Sequence, residues 1–339
     1  ASFTANAVSI VDISNPATPT IIGSITDAVG LLGPRGIAVA GDHAYVSGYE
    51  VGGTEGRITV INIASPANPT IVSVFTDTQI RNLRGMAIKG NYLYAHGGVG
   101  GFNVVDITDP TNLSVVARID NNLFRNPRSI VIEGDYAYTT TSNGKFTAVD
   151  ISNPLAPIVS GDTGTSNNTR DVAVHGSYGY VVRQTTGNQL RVINIADPTN
   201  PFVENTLLDI LLRRIDFIEV NGQYAFITGA ELNTAYLRIV DISDPSSPVI
   251  ATTTKDNANL DKLSSIIVAG KNAYSIDLDT DSVVAIDLGT FAEGTTEQCD
   301  EGDDNSDTGA CTTECEDAFC GDGNTRTGLP VTDPDYEEC

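Results

Sequence analysis

A four-residue phrase returns seven times along this chain: an apolar pair, then Asp or Asn, then Ile or Leu. It reads Ile10-Val11-Asp12-Ile13, Val60-Ile61-Asn62-Ile63, Val104-Val105-Asp106-Ile107, Ala148-Val149-Asp150-Ile151, Val192-Ile193-Asn194-Ile195, Ile239-Val240-Asp241-Ile242 and Ala285-Ile286-Asp287-Leu288. Successive acidic or amide positions lie 50, 44, 44, 44, 47 and 46 residues apart. Six copies continue into a Pro turn, such as Ser14-Asn15-Pro16 or Ser243-Asp244-Pro245, and the seventh does not. A period of this kind means one small unit, repeated, that buries its apolar faces only against its neighbours.

A second phrase recurs six times between these. It is an apolar run, a Gly turn and an aromatic strand, first seen as Gly36-Ile37-Ala38-Val39 through Gly41 to Ala44-Tyr45-Val46. Later copies place Tyr94, Tyr138, Tyr180, Phe226 and Tyr274 at the position of Tyr45. Another apolar run follows each Pro turn, as in Thr20-Ile21-Ile22-Gly23-Ser24-Ile25. Each unit therefore holds four short strands. We name them a (the Ile-Ala-Val run), b (aromatic), c (the Val-Val-Asp-Ile phrase) and d (after Pro). Four strands in 44–47 residues is the pattern of a β-propeller, whose blades stack face to face so that the strands read as apolar runs. The Pro sits in a turn, where no ladder donor is lost.

The unit resembles the LVIVD repeat, a propeller family named for the strand c phrase, over roughly residues 2–288. The resemblance implies an all-β fold, a β-propeller of six or seven four-stranded blades. It implies little about activity, because propellers host many functions. The expected propeller domain is 1–292.

The ends of the repeat do not match. Before the first strand c lies Ser2-Phe3-Thr4-Ala5, readable as a short strand b, with no strand a ahead of it. At the other end a, b and c are present and the following Gly289-Thr290-Phe291-Ala292-Glu293 is a poor d. With six blades, Thr20–Ile25 completes the last blade and residues 2–13 form a spare hairpin. With seven, the first blade lacks its inner strand and the last its outer one. Either way strand edges are left over, and an unpaired edge is a template for another chain. The favoured reading is head-to-tail self-assembly into a fibre, with Phe3, Val8, Ile10 and Ile13 in the assembling segment. Pairing of the ends within one molecule is the alternative.

The last segment has a different chemistry. All five Cys (Cys299, Cys311, Cys315, Cys320 and Cys339) fall within residues 297–339, as do 14 of the 43 acids and one base, Arg326. In order it reads Glu297-Gln298-Cys299-Asp300-Glu301-Gly302, Cys311-Thr312-Thr313-Glu314-Cys315, Cys320-Gly321-Asp322-Gly323 and Glu337-Glu338-Cys339. This order resembles a Cys-rich repeat common in secreted myxobacterial proteins. Residues 293–339 are expected to be a disulfide-rich, turn-rich module that continues past Cys339, in an oxidising, extracellular or cell-surface setting. Its pairing is not readable from the spacing. Zinc is the weaker alternative, since the C-x₃-C pair has no C-x₂-C or His beside it.

Candidate sites are few. Asp277, Asp279 and Asp281 alternate through the last b–c hairpin, and Asp300, Asp303, Asp304 and Asp322 crowd the acidic segment. Carboxylates so placed converge on calcium, which takes six to eight oxygens; a solvated acidic turn is the plainer reading. Arg35, Arg84, Arg128 and Arg170 each stand ten residues before a strand b aromatic, with Asp216 and Ser264 in the last two units. In a propeller these fall at one mouth of the central channel. There they either hold an anion or pair with a neighbouring blade's Asp or carbonyls, the latter favoured. His43, His96 and His175 lie in three different units. No nucleophile elbow, phosphate loop, dinucleotide fingerprint or His-Glu-x-x-His occurs, so a non-catalytic protein is expected. A formal charge of −24 disfavours nucleic acid and anionic lipid, and no apolar run is long enough to span a membrane. A structural or adhesive role is favoured over a monomeric propeller binding surface proteins or glycans, with a propeller-scaffold hydrolase or lyase third.

Overall fold

The structure, a computed structural model, describes residues 6–48, 54–97, 101–164, 168–184, 189–208, 212, 214–231, 234–255, 263, 265–277, 282–289 and 291. Residues Ala1–Asp287 form one compact unit and Leu288–Cys339 a second. Every described strand belongs to the first.

The chain opens with an antiparallel pair, β1 (Ala7–Asp12) and β2 (Thr20–Thr26). Five four-stranded antiparallel sheets follow, each in chain order. They are β3 (Pro34–Ala40), β4 (His43–Gly48), β5 (Gly56–Asn62) and β6 (Thr70–Asp77); β7 (Gly85–Lys89), β8 (Tyr92–Gly97), β9 (Gly101–Asp106) and β10 (Ser114–Asp120); β11 (Pro127–Glu133), β12 (Tyr136–Thr141), β13 (Lys145–Asp150) and β14 (Ile158–Gly164); β15 (Thr169–His175), β16 (Tyr178–Arg183), β17 (Gln189–Asn194) and β18 (Phe202–Leu208); and β19 (Ile215–Asn221), β20 (Tyr224–Glu231), β21 (Thr234–Asp241) and β22 (Val249–Lys255). A three-stranded sheet, β23 (Ile267–Ala269), β24 (Asn272–Asp277) and β25 (Ser282–Asp287), closes the series. The fold is an all-β propeller of six blades that carry an inner strand, with the β1–β2 pair as an added sheet of outer strands only. The inner strands follow one another in the order β3, β7, β11, β15, β19, β23.

The repeated phrases explain the repeated turns. The strand c acid or amide accepts the backbone N–H two residues on: Ser14 at Asp12, Ala64 at Asn62, Thr108 at Asp106, Ser152 at Asp150, Ala196 at Asn194 and Ser243 at Asp241, all at 2.8–3.1 Å. This turn chemistry sets up the Pro corner and returns the chain as strand d. The c–d ladder carries a bulge at one position in every blade where both strands are present, from Ile10/Val11 to Ile239/Val240. The bulge bends the outer strands and adds to the twist of each blade.

Blades meet through alternate faces of their inner strands. Ile130 and Ile132 of β11 share a core cluster with Ala87 of β7. Val172 and Val174 of β15 pack with Val131, and Ile218 and Val220 of β19 with Ala173. One set of alternate residues thus faces the preceding blade and the other the following one. The strand b aromatic reaches further, to the Ile that ends strand c of the next blade. Tyr45 joins Ile107, Tyr94 joins Ile151, Tyr138 joins Ile195 and Tyr180 joins Ile242.

The same relation closes the ring. Tyr274 Oη donates to the carbonyl of Ile13 at 3.4 Å, just past β1. On the other side Val8 of β1 packs with Leu31, Ala44, Val46 and Ile61. A Cβ on Gly23 of β2 would lie 1.9 Å from the carbonyl oxygen of Pro66, so only glycine allows that approach. The β1–β2 pair therefore stands between the β23–β25 blade and the β3–β6 blade. β2 pairs with β1 and not with β25, so the closure in which Thr20–Ile25 completes the last blade is not adopted.

That arrangement leaves a gap. Ile37 and Val39 of β3 occupy the positions that face a preceding inner strand, and are 47% and 57% exposed. The counterparts of Ile37 in β11, β15 and β19, Ile130, Val172 and Ile218, are 8%, 5% and 3% exposed, and those of Val39 (Ile88, Ile132, Val174 and Val220) are half-buried. Ile267 of β23, which occupies the position facing a following blade, is 56% exposed. Among the described residues no inner pair of strands stands between these two walls. Among the described residues no strand d pairs with β25. Val283, Val284 and Ala285 are half-buried, whereas their counterparts in β9 and β13 are buried beneath a strand d. The segment after Leu288 turns instead, with the Phe291 N–H donating to the Leu288 carbonyl at 3.1 Å.

Candidate functional site

Five of the six inner strands, β3, β7, β11, β15 and β19, are reached through a residue with positive φ. Gly33, Asn82, Asn126, Asn168 and Arg214 have φ of 57°, 54°, 55°, 65° and 46°. Glycine and asparagine tolerate this region, because one lacks a Cβ and the other has a short side chain that bonds locally. Two residues on come Arg35, Arg84, Arg128, Arg170 and Asp216, so the turn sets where these side chains leave the backbone. The Asn82-Leu83-Arg84, Asn126-Pro127-Arg128 and Asn168-Thr169-Arg170 triplets are a signal that the arginine count alone missed.

Three of the four arginines share a cavity. Arg35, Arg84 and Arg128 line a space of about 250 Å³ with Asn82, Asn126, Pro127 and Ser142. The wall is held by backbone bonds: the Ser142 N–H donates to Asn126 O at 2.9 Å, and the Asn168 N–H to Ser142 O at 2.8 Å. Burial, followed by the neighbouring Arg84 and Arg170 guanidinium groups, pulls the Arg128 pKa below its ordinary value, and Asp216 opposes this. Arg170, one blade on, meets Asp216 of the next inner strand at 3.6 Å and also the Gln184 side chain. Pairing with a neighbouring blade's Asp therefore holds for Arg170. Along the mouth the charge is positive over three blades and changes sign at Asp216.

Carboxylates lie further along the same inner strands. Asp171 accepts from the Val172 N–H at 2.9 Å and from the Ile218 N–H of the next inner strand at 3.1 Å. Burial raises its pKa despite these bonds and one from the Ser129 side chain. Glu219 is pushed up to about 7, first by burial and then by the Asp171 charge. A carboxylate whose folded pKa is raised lends stability below its unfolded pKa, and this is lost as pH rises through the folded value. Glu219→Gln is therefore expected to leave stability near pH 4 unchanged. At pH 8 it should raise stability by about 1–3 kcal/mol, the full shift being discounted for partial exposure. Urea midpoints at the two pH values test this. Equal effects at both would remove Glu219 as the titrating group.

Other expected positions are placed as follows. Val8 is buried in the β1–β2 interface, Ile10 and Ile13 are half-buried, and Phe3 lies outside the described residues. Asp277 is described only as the last residue of β24. Asp279, Asp281, Asp300, Asp303, Asp304, Asp322, Ser264 and all five Cys lie outside the described residues. His96 is fully buried and burial depresses its pKa to about 3, so its imidazole is neutral. Among the described residues no three His, Cys, Asp or Glu side chains gather where a metal ion could sit. No described helix is long and apolar enough to cross a membrane.

Comparisons with known proteins agree on the fold. A functionally unknown protein from Desulfotomaculum acetoxidans superposes with a TM-score of 0.67 at 10% identity, over 85% of this chain and 91% of that one. The periplasmic gluconolactonase of Pseudomonas aeruginosa gives 0.64 at 14% identity, over 81% and 86%. BamB from Moraxella catarrhalis gives 0.55 at 14%, over 83% and 78%. At such identities the likeness is one of fold alone. No curated protein sequence matches. The LVIVD repeat pattern matches residues 3–27, 80–121, 125–165, 166–208 and 215–256, while the Cys-rich segment lies outside that match. With more than half of its length matched and the repeats forming the blades, the chain belongs to the LVIVD repeat family.

Proposed function

We propose that this propeller is a non-catalytic, extracellular structural or adhesive protein whose copies join into a fibre by strand addition. The observation that carries the reading is the gap beside β1–β2, where Ile37 and Val39 on one wall and Ile267 on the other are exposed, although Ile130, Val172 and Ile218, the counterparts of Ile37, are buried. The inner edge of β1, which pairs with no strand among the described residues, forms the back of the gap and offers backbone hydrogen bonds. A strand from a second copy would complete the ladder and cover the apolar walls. The donor is the segment around Phe3, and a contact of this head-to-tail kind continues indefinitely if its rotation does not close.

Light scattering and electron microscopy of the full chain test the proposal. Filaments or concentration-dependent oligomers are expected. A single monomeric species at every concentration would end the reading. The extracellular setting rests on the five cysteines, proposed as a disulfide framework that helps join neighbours and seen as mass shifts on reduction. Calcium is proposed at Asp277, Asp279 and Asp281 and in the acidic segment. EDTA is then expected to lower the melting temperature, and added calcium to restore it. A melt indifferent to both would remove the ion.

A further inference from the structure

We propose that the cavity bounded by Arg35, Arg84 and Arg128 is a binding site for one small tetrahedral oxyanion, a sulfate or phosphate group. The chain carries 43 acids against 19 Lys and Arg, yet no carboxylate is among the seven residues lining this cavity. Three successive blades each bring a guanidinium to it, at the same point of the repeat. Like charges held together and partly desolvated repel, and the Arg128 pKa is lowered first by burial and then by the neighbouring Arg84 and Arg170 charges.

The Nε of Arg128 is buried and has no hydrogen-bond partner. A buried donor left unsatisfied is costly, and an oxyanion that accepts from it removes that cost along with the repulsion. The remaining lining is Pro127 and three groups that can donate: the Asn82 amide, the Asn126 amide, which also donates to Asn143 Oδ1 at 3.1 Å, and the Ser142 hydroxyl, which also donates to the Asn126 carbonyl at 3.4 Å. Planar guanidinium forks suit tetrahedral oxygens, which they bind in pairs. The volume of about 250 Å³ holds a handful of waters at roughly 30 Å³ each, or one oxyanion and a few waters, and is too small for a peptide. Arg170 marks the limit of the site, because Asp216 already partners it.

Calorimetry on the full chain with inorganic phosphate, inorganic sulfate and a sugar phosphate, against chloride at matched ionic strength, tests this. One equivalent of oxyanion is expected to bind. Arg84→Gln and Arg128→Gln should each weaken binding at least about tenfold, while Arg170→Gln should change it less than about threefold. Melting in chloride controls for folding: Arg128→Gln should melt at or above the wild type, since the repulsion is relieved, and should lose the rise that phosphate gives the wild type. Tighter binding of the sugar phosphate would identify the source as an ester on a larger molecule, and equal binding a free ion. Heats no larger than those for chloride, or equal binding by the wild type and Arg128→Gln, would overturn the site. None of these readouts depends on whether the chain forms fibres.

Discussion

Replacing Asp171 with alanine is expected to cost about 2–4 kcal/mol of stability at pH 5, read as a fall in urea midpoint. The carboxylate lies at a junction of three consecutive inner strands. It accepts the Val172 N–H of its own strand β15 and the Ile218 N–H of β19, and the Ser129 side chain of β11 bonds to it as well. Alanine strips these donors of their acceptor in a partly buried place, at up to about 1–3 kcal/mol for each donor left unsatisfied. The sum is offset because the buried carboxylate is itself costly, as its raised pKa records. Its folded pKa lies above the unfolded one, so its contribution is fullest at acid pH and fades as pH rises. The loss on alanine substitution should therefore shrink as pH rises through the raised folded pKa. Asn keeps one oxygen in place and should cost less than Ala. A second readout is independent of unfolding: with the Asp171 charge removed, Glu219 should titrate below about 7. An alanine variant as stable as the wild type at pH 5 would show that the blades do not depend on this bond.

The strands, their order and the Asx turns are readable in the sequence, because they follow from local chemistry repeated seven times. The phrase at Asp106-Ile107 means the same turn as the phrase at Asp241-Ile242, and one copy teaches the next. The arginines of the channel mouth are readable as a column, since they keep a fixed offset from the strand b aromatic. What they face is not, because that depends on neighbouring blades. Arg170 finds Asp216 46 positions on, whereas Arg84 and Arg128 share a cavity that no pattern within a unit encodes. Asp171 escapes notice for the same reason: it occupies one inner strand where the others have Gly36, Gly85, Ser129, Phe217 and Ser265, so it looks like an irregularity in the repeat. The closure of the ring is likewise non-local. The sequence allowed Thr20–Ile25 to finish the last blade, and the packing of Val8 and the approach of Gly23 to Pro66 hold it at the first.

Ile37→Asp and Ile267→Asp, made together, are expected to abolish association of the full chain while leaving the monomer's urea midpoint nearly unchanged. Both side chains are about half exposed in the single molecule, so a carboxylate there stays hydrated and costs the monomer within about 0.5 kcal/mol. A strand seated in the gap reverses this. It would bury the two isoleucines and Val39, worth on the order of 1 kcal/mol each from half exposure, and each ladder bond to β1 would add about 0.5–1.5 kcal/mol. An aspartate on either wall would then be desolvated without a partner, a penalty of several kcal/mol and more than a hundredfold in affinity. Sedimentation over a range of concentrations reads the result. Removing residues 1–5 tests the donor separately, and is a gentler cut than removing 1–13, which would take Val8 out of its contacts with Leu31, Ala44, Val46 and Ile61. Loss of assembly in both variants would place donor and acceptor together at this gap. Assembly that survives the paired aspartates would clear the gap of any role, and would move attention to the open edge of β25.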